Sequence, residues 1–207
     1  TYLNDLALLL HDTNRHAEAE PLLRRALKIN ERSYGPGHPR VAACLNNLAL
    51  LLEDTNRHAE AEPLIHRALE IDERSYGPEH PRVATGLNNL AMLLHNTNRP
   101  AEAEPLMRRA LEINERSYGP EDPRVAACLS NLAVLLHDIN RHAEAEPLMR
   151  RALKILLKSS RAMGHPHPHL YGALGNYVGL LEEMGRSSDE IRRIVAKLLG
   201  KCGFAIG

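Results

Sequence analysis

The chain has 207 residues, with 26 Lys plus Arg balanced by 26 Asp plus Glu. That balance argues against a nucleic-acid binder working by broad phosphate neutralisation, and leaves room only for a local charged groove. No apolar run approaches the roughly 18–20 residues of a membrane span, and with aromatics at 3% the core must be built from Leu and Ala.

One passage recurs. "LNDLALLLHDTNRHAEAEPL" begins at Leu3, and close copies begin at Leu45, Leu87 and Leu129, each 42 residues after the last. Residues 45–86 and 87–128 agree at 32 of 42 positions without an insertion. A diverged fifth copy, "LGNYVGLLEEMGR", starts at Leu174 after three extra residues. Such a period is the signature of a solenoid, in which each unit buries its apolar face only against a neighbour.

In chain order, the first element is a helix that Thr1 enters without the "HPRVA" start found in later copies. This predicts an open stacking face there and self-association through it. In the complete copies Val83, Leu87, Leu90, Ala91, Leu93 and Leu94 recur at helical spacing. Pro81 suits the first helical position, and His38, His80 and Asp122 stand where the N-cap belongs. In "TNR", Asn14, Asn56, Asn98 and Asn140 occupy the left-handed position of a turn, with Gly185 in the fifth copy. The second helix starts near "AEAEP", with two Glu at the positive end of its dipole and Pro21, Pro63, Pro105 and Pro147 in or just after the first turn. "YGPED" ends it. Ala49, Ala61 and Ala68 predict close helix approach. At the C-terminal end, "SSDE" offers a capping box between Ser187 and Glu190. "IRRIVAKLLG" reads as a terminal cap, and "KCGFAIG" as a loose or packed tail.

The letters "NLA", "NR", "AEAE" and "RAL" at fixed spacing resemble a tetratricopeptide repeat, whose usual length is about 34 residues. The 42-residue form, with "LNNLA" and "RSYGPEHPRVA", resembles the kinesin light chain type. Near-identical arrays of this kind also resemble the C-terminal sensor arms of bacterial multidomain signalling ATPases, and "HPHPHLYGALGNYVGLLEEMGRSSDEI" resembles their ending. The resemblance covers essentially the whole chain. The expected fold is all-α: a right-handed α-solenoid, a superhelix of tandem helix-turn-helix repeats. It forms one domain over 1–207, divided at 1–38, 39–80, 81–122, 123–164 and 165–207.

Candidate site residues follow from the first helices, which line the concave surface in this fold. Asn46–Asn47, Asn88–Asn89 and Ser130–Asn131 interrupt the apolar run. An amide both donates and accepts, so a ladder of them can bond the backbone of an extended peptide. The resemblance points to the second of each pair, Asn47, Asn89 and Asn131; the alternative is that they fix stacking on the neighbouring copy. Leu50, Met92 and Val134 would form an apolar floor, and Glu53, His95 and His137 a polar rim. These rim and floor positions vary most between copies, through either ligand choice or drift. Kinesin light chain repeats often carry Lys where Ala43, Thr85 and Ala127 stand here, so a basic groove for acidic cargo is not expected.

The remaining chemistry is sparse. Cys44 and Cys128 share a repeat position that Gly86 fills in between, which reads as small buried residues in a reducing cytoplasm. His11, His95 and His137 share another, on rungs roughly 10 Å apart, too far for ligands that converge at about 2 Å on one ion. "HPHPH" (His165, His167, His169) reads as a Pro-stiffened spacer. The arginines of "RRAL" read as a solvated face. No nucleophile motif, phosphate loop or zinc-type cysteine spacing is present. The sequence therefore predicts no enzyme, no cofactor, no metal and no nucleic-acid or membrane partner. It predicts a scaffold for a protein or peptide ligand, the sensing arm of a larger bacterial protein, with a structural spacer or oligomerisation element as the alternative.

Overall fold

The computed structural model describes residues 2–201. Thr1 and the segment 202–207, which holds Cys202, Phe204 and the predicted tail, lie outside the described residues. Among the described residues every element is a helix. The chain forms two compact units, 1–110 and 111–207.

The first unit holds α1 (Tyr2–Asp12), α2 (His16–Tyr34), α3 (Pro39–Asp54), α4 (His58–Tyr76), α5 (Pro81–Asn96) and the opening turns of α6 (Pro100–Tyr118). The second holds the rest of α6, then α7 (Pro123–Asp138), α8 (His142–Met163), α9 (Leu170–Glu183) and α10 (Ser188–Lys201). Paired helices pack as hairpins. In the α3–α4 hairpin Leu45, Leu48, Ala49, Leu51 and Leu52 on one helix and Ala61, Ile65 and Ala68 on the other are all at most 1% exposed, and Val41, Ala42, Leu45, Ala68 and Ile71 form one core cluster. The alanines remove the bulk that would hold the helices apart.

Local chemistry sets the boundaries. The side chains of His38, His80 and Asp122 accept from the backbone N–H of Arg40, Arg82 and Arg124 at 3.1, 3.2 and 2.9 Å. Each is followed by proline at the first helical position. The turn asparagines have φ of 58–60° and Gly185 has 77°, the left-handed conformation these two residue types tolerate. Gly35, Gly77 and Gly119 end the second helices at φ of 87–88°. Pro21, Pro63 and Pro147 stand at the sixth position of their helices, just past the first turn, so each removes one helical hydrogen bond. Ser187 and Glu190 close the predicted capping box, with Ser187 N–H donating to Glu190 at 2.9 Å and Glu190 N–H to Ser187 Oγ at 3.3 Å.

Charged side chains fasten one hairpin to the next, which corrects the expectation that the "RRAL" arginines form only a solvated face. Arg67 reaches back to Glu31 at 2.7 Å and to the Pro36 carbonyl at 3.2 Å. Arg109 does the same with Glu73 and Pro78, and Arg151 with Glu115 and Pro120. The physical reason is reach: a guanidinium can bond a carboxylate and a loop carbonyl together. The arginine of "TNR" is a second clamp. Arg57 holds Glu60 at 2.7 Å on its own hairpin and Glu20 at 2.7 Å on the preceding one, and Arg99 repeats this with Glu102 and Glu62. The Glu pairs thus divide their work: one stays at its own helix start, and the other receives the neighbour's arginine.

Candidate functional site

In the first unit, α3 and α5 each carry their asparagines on the face that apolar packing leaves open. A concave pocket of about 700 Å³ lies there, with Asn46, Asn47, Leu50 and Glu53 contributed by α3, Asn89 and Met92 by α5, and Ile65 and Asp72 by α4. Six of the residues singled out from the sequence therefore share one pocket. Leu50 is 48% exposed, an apolar surface available to a ligand. Asn88 and His95 are half-buried on α5, do not line the pocket and have partners of their own. Asn131, Val134 and His137 are half-buried on α7 in the second unit, where His137 Nε2 lies 2.8 Å from Glu183.

The asparagines divide their roles. Asn47 Nδ2 donates to Asn4 Oδ1 at 2.9 Å, bonding α3 to α1. That is a stacking role. Asn46 Oδ1, in contrast, is buried with no hydrogen-bond partner. A buried acceptor without a donor costs about 1–3 kcal/mol.

A second unpartnered acceptor, absent from the sequence-based candidates, lies in the same pocket. Asp72 is 3% exposed and its Oδ1 has no partner. In the equivalent places Asn30 Nδ2 donates to Cys44 Sγ and Asn114 Nδ2 to Cys128 Sγ, both at 3.1 Å. Here Gly86 supplies no sulfur and Asp72 replaces the amide. The paired change of Asn to Asp and Cys to Gly in one copy was the signal that could have found it. Burial raises the Asp72 carboxyl above the ordinary range, opposed by the nearby charges of Arg82 and His80. Burial, reinforced by the neighbouring Asp54 charge, pushes Glu53 up to about 7. Among the described residues Arg82 is the only basic side chain lining the pocket, which is otherwise rich in acceptors and carboxylates.

The Tetratricopeptide repeat family profile matches residues 1–64, 50–116 and 83–158. The chain belongs to the tetratricopeptide repeat family. No curated protein matches it in sequence. Among solved structures it is similar to BtubC (BKLC) from P. vanneervenii, at 26% identity and a TM-score of 0.78, over 99% of this chain and 82% of that one. It is also similar to a Podosopora anserina protein assigned to the kinesin light chains, built of nearly identical TPR-like repeats. A point-substituted form of that protein is 21% identical with a TM-score of 0.78, over 97% of this chain and 94% of that one. Another structure of it is 20% identical with a TM-score of 0.77, over 99% and 96%. The fold is thus an α-solenoid of tetratricopeptide repeats of the kinesin light chain type, a class that serves protein–protein interaction. No helix among the described residues is long and apolar enough to cross a membrane.

Proposed function

We propose that this chain is a non-catalytic interaction module that takes an extended peptide segment into the α3–α5 pocket, with a Lys or Arg of that segment set against Asp72. The observation that carries this reading is the pair of buried acceptors, Asn46 Oδ1 and Asp72 Oδ1, left without donors in one pocket. A peptide N–H would satisfy the first, and an ammonium or guanidinium the second. Leu50 and Met92 would pack against the intervening apolar side chain. On α7, Asn131, Val134 and His137 would offer a contact surface of the same kind. The place of the module, a sensing arm of a larger cytoplasmic bacterial protein, rests on the resemblance of its near-identical copies to such arms.

Selection of displayed random peptides on the purified chain tests this. Basic residues are expected to be enriched at one register position. Asp72→Asn is expected to weaken the selected peptides by at least about tenfold, the size of a lost charged hydrogen bond, with helicity unchanged. Peptides with no basic preference, bound equally by Asp72→Asn and by the joint Asn46→Ala and Asn89→Ala variant, would sink the reading.

A second reading, an assembly element, is favoured by α1. Leu6 and Leu9 are 39% and 65% exposed, whereas their counterparts Leu48 and Leu51 are 1% and 0%. Light scattering across concentration tests it: self-association that persists when Leu6 and Leu9 are both changed to Lys would remove α1 as the contact.

A further inference from the structure

We propose that His137, His142 and Glu183 form a binding site for a divalent late transition-metal ion, zinc in type, that clasps the last hairpin to the one before it. His137 stands in the last turn of α7, His142 opens α8, and Glu183 ends α9. The turn built on Asn140 thus delivers both imidazoles to one place, and the neighbouring helix brings the carboxylate over them. One ligand atom from each lies within 4.8 Å of the others, and among the described residues this is the group of three His, Cys, Asp or Glu side chains so arranged.

The pairwise geometry suits a single ion. His137 Nε2 is 2.8 Å and His142 Nε2 3.7 Å from Glu183 Oε2. Ligands on a tetrahedral zinc, with bonds of about 2.0–2.1 Å, stand about 3.4 Å apart. Opening the first distance and closing the second takes only side-chain adjustment of Glu183, which is 56% exposed. His142 Nε2 is buried and makes no hydrogen bond, so a ring nitrogen facing the carboxylate is left for a metal. Asp138 Oδ1 lies 3.4 Å from His137 Nδ1, where a carboxylate orients a ligating imidazole and fixes its tautomer. Two imidazoles and a carboxylate are a borderline-soft donor set that favours zinc and its neighbours over calcium or magnesium. Three protein ligands leave a fourth position for water or for a side chain of a partner.

The other copies show what the site requires. In the second copy the first histidine is Glu53, and in the third the second histidine is Pro100. The first copy keeps His11 and His16, but there His11 Nε2 is tied to the shorter Asp54 at 2.6 Å and the unpartnered ring atom of His16 is Nδ1. Only the junction with the diverged fifth copy supplies two histidines and the longer glutamate. The widely spaced histidines of one repeat position do not act together as ligands; the two rings flanking one turn and a carboxylate from the next hairpin do.

The test uses the tag-free 207-residue chain, stripped with chelator and titrated with Zn²⁺ against a chromophoric competitor, and separately with Co²⁺ followed by visible absorption. One ion per chain is expected, with the intense absorption of four-coordinate Co²⁺. His142→Ala and Glu183→Gln are each expected to weaken binding by at least about tenfold, with helicity and the metal-free melting curve retained. His11→Gln with His16→Gln, and the joint His165→Asn, His167→Asn and His169→Asn variant, are expected to bind as the parent does. Absence of stoichiometric binding, binding that survives His142→Ala or Glu183→Gln, or binding lost with the 165–169 histidines would each overturn the proposal.

Discussion

The α3–α4 hairpin and the α9–α10 hairpin share a turn and differ in what surrounds it. Asn56 and Gly185 take the same left-handed conformation. Around Asn56, Leu45 and Leu48 are at most 1% exposed, and Arg57 is bonded both to Glu60 and to Glu20 of the preceding hairpin. Around Gly185, Leu174 is half-buried at the place of Leu45, and Arg186 at the place of Arg57 comes only within 3.9 Å of Glu190. The pocket letters fade as well: Asn46 and Leu50 correspond to Gly175 and Gly179. An internal copy is constrained on two faces, by stacking and by its groove. The fifth copy keeps the turn and the hairpin core and relaxes the rest.

The largest effect should come from cutting into the more constrained hairpin. Leu48→Ala removes a side chain packed on all sides and is expected to cost about 2–5 kcal/mol, as large-to-small core changes do. Leu174→Ala, at a half-buried place, is expected to cost about 1 kcal/mol or less. Urea unfolding of the two variants checks the difference. Equal costs would mean that the terminal hairpin is as tightly packed as the internal one.

What the sequence made legible follows the same division. Caps, turns and hairpin pairing are local, and a single residue type carries each: His38 or Asp122 before proline, Asn56 in the turn, Ala61 and Ala68 at the contact. Four near-identical copies repeated those signals, so the periodicity could be read directly. The pocket was legible where it rests on one helix face, in Asn46, Asn47, Leu50 and Glu53. Asp72 was not, because it belongs to the second helix, and the candidates follow from the first helices. What it lacks is set on another helix, where Gly86 stands in place of the sulfur that Cys44 and Cys128 supply. The inter-hairpin clamps of Arg57 and Arg109 were missed for a similar reason. Charge at a helix start or on an outer helix has an adequate local explanation, and only the neighbour's position reveals a second partner.

A smaller effect should separate the groove face of α3 from the exposed end of α9. Glu53, pushed up to about 7 by burial and then by Asp54, holds a proton in the folded chain that the unfolded chain releases at its ordinary value near 4.5. Folding is therefore favoured by this group at low pH, and that contribution is lost as pH rises from about 4.5 to 7. Glu53→Gln removes the dependence. The variant and the parent are expected to be equally stable near pH ~4.5. Above about pH 7.5 the variant should be the more stable by about 1 kcal/mol, a figure reduced because the side chain still meets water. Thermal melts at the two pH values check it; a gap that does not change with pH would remove the burial argument. The counterpart Glu182 stands exposed on α9.

The smallest effect concerns the glycines that distinguish the two hairpins. Gly179 lies inside α9, and a Cβ built there meets nothing within 4 Å. Gly179→Ala should therefore keep the helix geometry and remove unfolded-state freedom, a gain of about 0.5–1 kcal/mol. Gly86, inside α5, differs: its Cβ would stand 3.1 Å from Leu69 Cδ1. Cys44 and Cys128 fill the equivalent places in the neighbouring copies, so the backbone accepts a side chain, but Leu69 would have to turn to admit it. Gly86→Ala should gain less than Gly179→Ala. A melting shift larger at Gly86 than at Gly179 would mean that Leu69 moves without cost. The crowding that marks an internal copy would then be absent at that position.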